Sequence, residues 1–240
     1  MRQRRERVVV YTAWTGQYED QVRPPRCGPC DNVEFYCYTD DPHWSVPGWT
    51  PRLVPPAPCP ALQARRIKIL GQQLFDADIS LWLDASFELY VDPRQIIDRW
   101  IPPANIVALP HPDRQTYIEE GHEIVRLGLA PADAIERQIT QYTIEGFDAS
   151  QQQRITSTGF LLRRHTAGVL HFNRTWWHLF EAAGHTRDQM SVDYALWLTG
   201  QTPAYIGGHY RDNPYARYYR PTPKPVIEYG VPVELLGTVE

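Results

Sequence analysis

Ile79-Ser80-Leu81-Trp82-Leu83, followed at once by Asp84-Ala85-Ser86, is the stretch on which the fold turns. A near-continuous apolar run of this length reads as a strand covered on both faces, and it stops abruptly at a carboxylate. Upstream, Ala61 to Phe75 has helical spacing: Leu62, Ile67, Leu70 and Leu74 form one apolar stripe, while Arg65, Lys68 and Gln72 share another face. Further upstream, residues 7–14 (RVVVYTAW) and 33–39 (VEFYCYT) read as buried strands, and Leu53-Val54 as a short strand kept from the sheet centre by flanking prolines. Downstream, residues 87–91 are extended and a helix runs from Pro93 to Trp100. A strand at 105–109 precedes helices over 114–127 and 131–145, then a strand at 155–162. Helices over 169–182 and 187–198 and a strand at 204–206 complete the pattern. Strands alternating with helices predict an α/β domain with a mixed, mostly parallel sheet flanked by helices. Residues 1–240 read as one domain, with 210–240 an irregular, Pro-rich tail wrapped around the body.

Composition narrows the function. A chain of 240 residues with 42% hydrophobic and 22% charged residues supports a full core. A net charge of −4 carries no basic excess of the kind a nucleic-acid groove needs. The basic start, Met1 to Arg7, leads into only three valines, too short for a secretory signal, and no run of roughly twenty apolar residues exists for a membrane span. The expectation is a soluble, cytoplasmic protein. Eight Trp and fourteen Tyr suit sugar stacking and core filling equally.

Cys27-Gly-Pro-Cys30 has the spacing of a zinc or redox pair, but Cys37 and Cys59 lie too far apart to form a second pair, so reduced thiols are the reading, with a structural zinc as the lesser alternative. His171, His178 and His185 repeat every seven residues, which on one continuous helix would align them. No His-Glu-x-x-His signature accompanies them, and Gly184 is placed to end the helix before His185.

In open α/β sheets ligands collect at the carboxyl ends of the strands, which singles out Thr12, Asp40, Asp84 and His111. Asp84 with Ser86 could hold a hard cation bridging phosphate oxygens; read alone, Asp84 is equally a turn residue. Arg65, Arg66 and Lys68 are cations on the preceding helix, Arg66 reading as solvated. Asp188 falls in the first turn of a helix starting near Arg187, where the dipole favours a carboxylate in any case. Glu119 and Glu120 read as a solvated helix face at least as readily as a site.

These residues resemble a known group. The run from Ala64 to Leu89 (ARRIKILGQQLFDADISLWLDASFEL) looks like the stretch of GT-A glycosyltransferases in which an Arg/Lys helix leads into a strand and an Asp-x-Asp motif. Ser157-Thr158-Gly159-Phe160-Leu161 and Arg187-Asp188-Gln189-Met190-Ser191 are similar to later segments of glycogenin-like transferases. The ordered set VVVYTAWTGQYED, FYCYTDD, the Asp84 segment, HPDRQTYIEEG, Trp176-Trp177 and RDQMS resembles a glycosyltransferase-like domain family over residues 7 to about 210. That family is known from plant proteins of mucilage polysaccharide synthesis, one member also being described as an alkaline ceramidase.

The resemblance implies a GT-A-like, Rossmann-type fold and transfer of a hexose from a nucleotide-diphosphate sugar, uridine-linked, to a carbohydrate or other hydroxyl acceptor, with retention of configuration favoured and Asp188 as a base for inversion the alternative. It implies Tyr11, Thr12, Ala13, Asp40, Arg65, Lys68, Ser157 and Gly159 as donor-binding residues. Asp188 and Gln189, with Arg65 and Lys68, would act at the reacting centre, and His111 and Arg114 on the acceptor side. Asp84, Ser86 and His209 would hold a divalent metal, manganese or else magnesium. Ser86 departs from the pattern, standing where a second Asp would supply a carboxylate. A zinc-dependent amidohydrolase and a catalytically inactive nucleotide-sugar-binding module remain as alternatives.

Overall fold

Residues Val8–Trp14 form β1, with β2 (Val33–Thr39) and β4 (Ile79–Leu83) as parallel neighbours on either side; Val10 lies in register with Phe35 and Leu81. The computed structural model describes residues 5–17, 21–101 and 103–220. Alternate residues of these strands enter two different cores. Val8, Val10, Leu81 and Leu83 pack with Ile96 and Ile97, while Val9, Tyr11 and Trp82 pack with Ile67, Phe172 and Trp176. Both faces are therefore dry, as the apolar run at 79–83 requires.

The main sheet has the order β3-β2-β1-β4-β7-β6-β8. The outer strand β3 (Thr50–Leu53) is an exposed edge strand containing Pro51, which an interior position would not tolerate. On the other side β7 (Thr156–Arg164) runs antiparallel to both β4 and β6 (Ile106–Pro110), and β8 (Ala204–Tyr205) lies parallel to β6. The short strand β5 (Phe87–Leu89) leaves this sheet and pairs with β9 (Ala216–Tyr218). The stretch from Tyr210, expected to be irregular, thus contains a strand, while residues 221–240 lie outside the described ones.

Helix α1 (Pro60–Leu70) starts on Pro60, whose fixed φ suits a first turn. It tightens into a 3-10 turn at Gly71–Gln73 instead of continuing to Phe75. A Cβ on Gly71 would stand 2.4 Å from the Tyr11 ring, so only glycine lets the helix end pass over β1. After α2 (Pro93–Trp100), α3 (Tyr117–Arg126) begins three residues later than its apolar spacing indicates, because Thr116 and Glu119 close a capping box there. Tyr117 and Ile124 of α3, Ile135 and Tyr142 of α4 (Ala132–Ile144) and Tyr194 of α6 (Gln189–Thr199) form a third core. The remaining helix, α5 (Ala167–Ala182), is capped by Thr166 and stops before Gly184. No helix among the described residues is long and apolar enough to cross a membrane.

His165 and His185 are locked in by neutral partners. His165 meets the Ala77 carbonyl at 2.9 Å and Ser80 Oγ at 2.8 Å, and His185 Nε2 lies 2.9 Å from Gln138 Oε1. Burial, with a nearby arginine in each case, lowers His111, His165 and His185 from an ordinary 6.5 to about 4. Between those values the unfolded chain binds more protons, so stability present above pH 6.5 is lost as the pH falls. Burial raises Asp193 to about 6 and raises Glu120, which opposes the trend, but three imidazoles outweigh them. Each tenfold change in proton affinity is worth about 1.4 kcal/mol. Urea denaturation between pH 7 and pH 4.5 should therefore show unfolding free energy falling by roughly 3 kcal/mol or more. A flat profile would contradict three neutral buried histidines.

Candidate active site

The chain steps from β1 outward to β2 and β3, then returns across β1 to β4. Ligands in an open α/β sheet collect at the carboxyl ends of the strands, and here a cleft lies beyond the carboxyl ends of β4 and β6, beside the start of β7. Asp84 stands one residue beyond β4. Its amide donates to the Gly159 carbonyl at 2.9 Å, and Trp82 Nε1 donates to its Oδ1 at 2.7 Å, so strand tip and carboxylate are both fixed. A Cβ on Gly159 would meet Tyr210 Oη at 2.8 Å and Asp84 Oδ2 at 3.1 Å; the glycine is what allows β7 this close. The resulting cleft has a volume of about 250 Å³.

Lys68 lies on its floor, 1% exposed. Its Nζ sits 2.8 Å from Asp188 Oδ2 and 3.4 Å from Asp84 Oδ1, and it donates to Thr158 Oγ1 at 2.9 Å. Arg65, one turn earlier on α1, places Nε 3.0 Å from Asp188 Oδ1. Asp188 occupies the N-cap of α6 yet makes no capping hydrogen bond with its side chain; the carboxylate turns to these two cations instead. Burial works to raise its pKa, but Lys68 and then Arg65 overcome that and hold it well below the usual carboxylate range. Its backbone carbonyl accepts from Trp176 Nε1 at 3.1 Å, which ties the helix start to α5.

The opposite wall comes from the segment after β6. His111 Nδ1 accepts from the backbone amides of Asp113 and Arg114, leaving Nε2 toward Glu120 at 3.6 Å. Arg114 approaches the same carboxylate at 3.3 Å and Glu123 at 3.0 Å. Glu120 is 6% exposed, and burial raises its pKa. Arg187 also lines the cleft, and its Nε is buried without a hydrogen-bond partner.

The structure divides the sequence candidates. Arg65, Lys68, Asp84, Ser157, Gly159, His111, Asp188 and Gln189 all border this one cleft. Arg114 stands behind it, held by Glu120. Gln189 Nε2 donates to the Thr156 carbonyl. Tyr11, Thr12 and Ala13 are buried in β1, Tyr11 with its hydroxyl donating to the Lys68 carbonyl at 2.7 Å, so Tyr11 supports the site from beneath. Asp40 lies on the same edge of the sheet at the end of β2, where its carboxylate accepts from the Gly16 amide at 3.0 Å. Arg66 is exposed, as its place on the helix indicates.

Thr158, Arg187, Arg211, Tyr210 and Tyr218 also border the cleft, beyond the candidates taken from the sequence, and so does Glu120, which the sequence leaves between a solvated helix face and a site. The capping box could have found Glu120: with Glu119 reaching back to Thr116 and Gln115, the next carboxylate turns to the other side of the helix. All four cysteines are free thiols, and His171 and His178 are exposed on α5.

A divalent cation held by protein needs several oxygen or nitrogen donors converging on one point. Of Asp84, Ser86 and His209, only Asp84 borders the cleft, and its Oδ1 is already shared by the Trp82 indole and the Lys68 ammonium. Ser86 is buried away from the cleft, and His209 is exposed, its Nδ1 accepting from the Arg211 amide. Among the described residues no group of three or more His, Cys, Asp or Glu is placed to hold a metal ion. The donors present do not fit a divalent metal.

Sheet and cleft together define an open-sheet α/β protein with a charged, ligand-sized site beyond the carboxyl ends of β4 and β6. A family model described as "TOD1/MUCI70, glycosyltransferase-like domain" matches residues 61–206, more than half of the chain, and the chain belongs to that family. No curated protein matches it significantly. Among solved structures it is similar to mouse xyloside xylosyltransferase 1 in its apo form, with 9% identity and a TM-score of 0.47 over 83% of this chain and 84% of that one. It is also similar to the glycosyltransferase GlyE of Streptococcus pneumoniae TIGR4, with 12% identity and a TM-score of 0.46 over 84% of this chain and 45% of that one. The galactosyltransferase LgtC, in complex with donor and acceptor sugar analogues, gives 12% identity and a TM-score of 0.46 over 83% and 73% of the two chains. Likenesses at this level say nothing of the site.

Removing one member of a buried ion pair costs about 3 kcal/mol or more, because the other charge is stranded. Asp188→Asn should therefore lower the unfolding free energy by roughly that amount, and adding Lys68→Met should recover part of it. Strictly additive losses in the double variant would show that Lys68 and Asp188 do not interact.

Proposed function

We propose that the protein transfers a hexose from a nucleoside diphosphate sugar, uridine-linked, to a hydroxyl of a carbohydrate or similar acceptor. The observation that carries this reading is the cation set in the cleft: Lys68 and Arg65 fixed by Asp188, with Arg187 beside them. In such a transfer the bond between sugar C1 and the phosphate oxygen breaks, and its electron pair leaves with the diphosphate. The acceptor oxygen bonds to C1 and loses its proton. Cations already in place stabilise the departing charge without reorganising, which makes preorganised electrostatics the main source of rate.

The residue roles follow from their surroundings. Asp188, kept ionised by two cations, is a weak base and orients Lys68 and Arg65. Glu120, whose proton affinity burial increases, is the cleft carboxylate better suited to take the acceptor's proton. His111 and Arg114 hold it in place from the acceptor side. Asp40, half-buried at the end of β2, remains the residue for the nucleoside end. The hydrolytic alternative would need a zinc-ligand cluster, and nothing among the described residues supports one.

Release of uridine diphosphate from uridine diphosphate hexoses tests the proposal. Arg65→Ala should lower kcat/KM about 100-fold. Asp84→Ala takes one of the two carboxylates from Lys68 and should lower turnover in a folded protein; full activity there would remove Asp84 from the mechanism. Glu120→Gln should cost on the order of 100-fold in kcat and erase the acid limb of its pH profile. An unchanged limb would assign the proton to another group.

A further inference from the structure

We infer that this site binds the diphosphate of its donor through the chain's own cations, with no divalent metal. The inference rests on the donor class proposed above and adds how that donor is held.

Charge pairing within the cleft carries the argument. Of the carboxylates bordering the cleft, Asp84 and Asp188 are already neutralised by Lys68 and Arg65 at 2.8–3.4 Å. A metal would have to share Asp84 with an ammonium that has nowhere to withdraw. Lys68 is 1% exposed and held at once by Thr158, Asp188 and Asp84. Two further positive charges brought within a few ångströms of it would be repelled strongly in so dry a place. The protein also lacks the second carboxylate of the motif, and Ser86, which stands in its place, is buried and does not border the cleft.

The charge a metal would supply is present in another form. Arg187 and Arg211 both border the cleft, and together they bring two positive charges, as one divalent ion does. Arg187 Nε is buried with no hydrogen-bond partner, although a buried N–H left unmet is costly. A phosphate oxygen is the acceptor that such a guanidinium matches, because its planar fork binds phosphate through two parallel hydrogen bonds. Arg187 immediately precedes Asp188, so its backbone is fixed by the same helix start that orients Lys68 and Arg65.

Titration calorimetry of the full chain with uridine, guanosine and adenosine diphosphates, in chelator and then in manganese, separates the possibilities. The best-binding nucleotide should show the same Kd within about threefold in both conditions. Arg187→Gln should weaken it at least tenfold in both, with the melting temperature of the unliganded protein little changed. Binding that appears only with manganese, or tightens more than tenfold with it, overturns the inference and leaves the donor class standing. An Arg187→Gln variant that binds like the wild type also overturns it. No binding of any of the three nucleotides in either condition removes the donor class itself, and the inference with it.

Discussion

Arg163 sits next to the last residue of β7 with no exposed surface, and its guanidinium is committed to neutral oxygens. One nitrogen donates to the Lys68 carbonyl at 2.7 Å and to the Tyr11 hydroxyl; the other donates to Asn173 Oδ1 at 2.8 Å and the Ile69 carbonyl at 3.2 Å. Lys68 and Ile69 are at the carboxyl end of α1, where helix carbonyls lack partners within the helix and the dipole is negative. A buried cation there meets both needs, and Tyr11 adds a second donor to the Lys68 carbonyl. The end of α1 is thereby bolted to β1, β7 and α5 together. Everything that Lys68 does in the cleft depends on that bolt, because its backbone cannot shift without breaking it.

From this anchor the charges alternate across the cleft. Lys68 bridges a residue at the tip of β4 and one at the start of α6, two elements that meet nowhere else in sequence. The pairing is a condition of the fold as much as of chemistry, since either carboxylate alone would leave a buried charge in excess. Glu120, His111 and Arg114 form a second balance on the other wall, and Arg187 acts on the carboxylates of both walls. The space between them is polar because charged side chains from both walls border it.

Elements with a strong local signature were legible from residues alone. The strand at 79–83 falls where its apolar run places it, and β1 and β2 lie within a residue of their apolar runs. Helix ends were less legible, since Gly71 ends α1 through a contact with Tyr11 sixty positions away, which no local pattern contains. β9 was invisible for the same reason: Ala216–Tyr218 becomes a strand only because Phe87–Leu89 needs a partner. For the cleft, the strand-end rule found Asp84 and His111, and the Arg/Lys face of α1 found Arg65 and Lys68. The strand-end rule also named Thr12, and the resemblance Tyr11, both of which lie buried in β1; the sequence left Glu120 between a solvated helix face and the site, and no local pattern marked the turn bearing Tyr210 and Arg211.

The strand order has a kinetic consequence. β4 and β6 are made early but do not touch; the slot between them belongs to β7, which pairs Ile79 with Arg164 and Ile106 with Arg163. Until residues 156–164 have been synthesised and inserted, two apolar strands present open hydrogen-bonding edges. Contacts so distant in sequence are slow to form, and partly built sheets of this kind are prone to associate with one another. The strand that brings Thr158 and Gly159 to the cleft is thus also the step on which completion of the sheet waits, so a nascent chain has neither a closed sheet nor a site until residues 156–164 have left the ribosome.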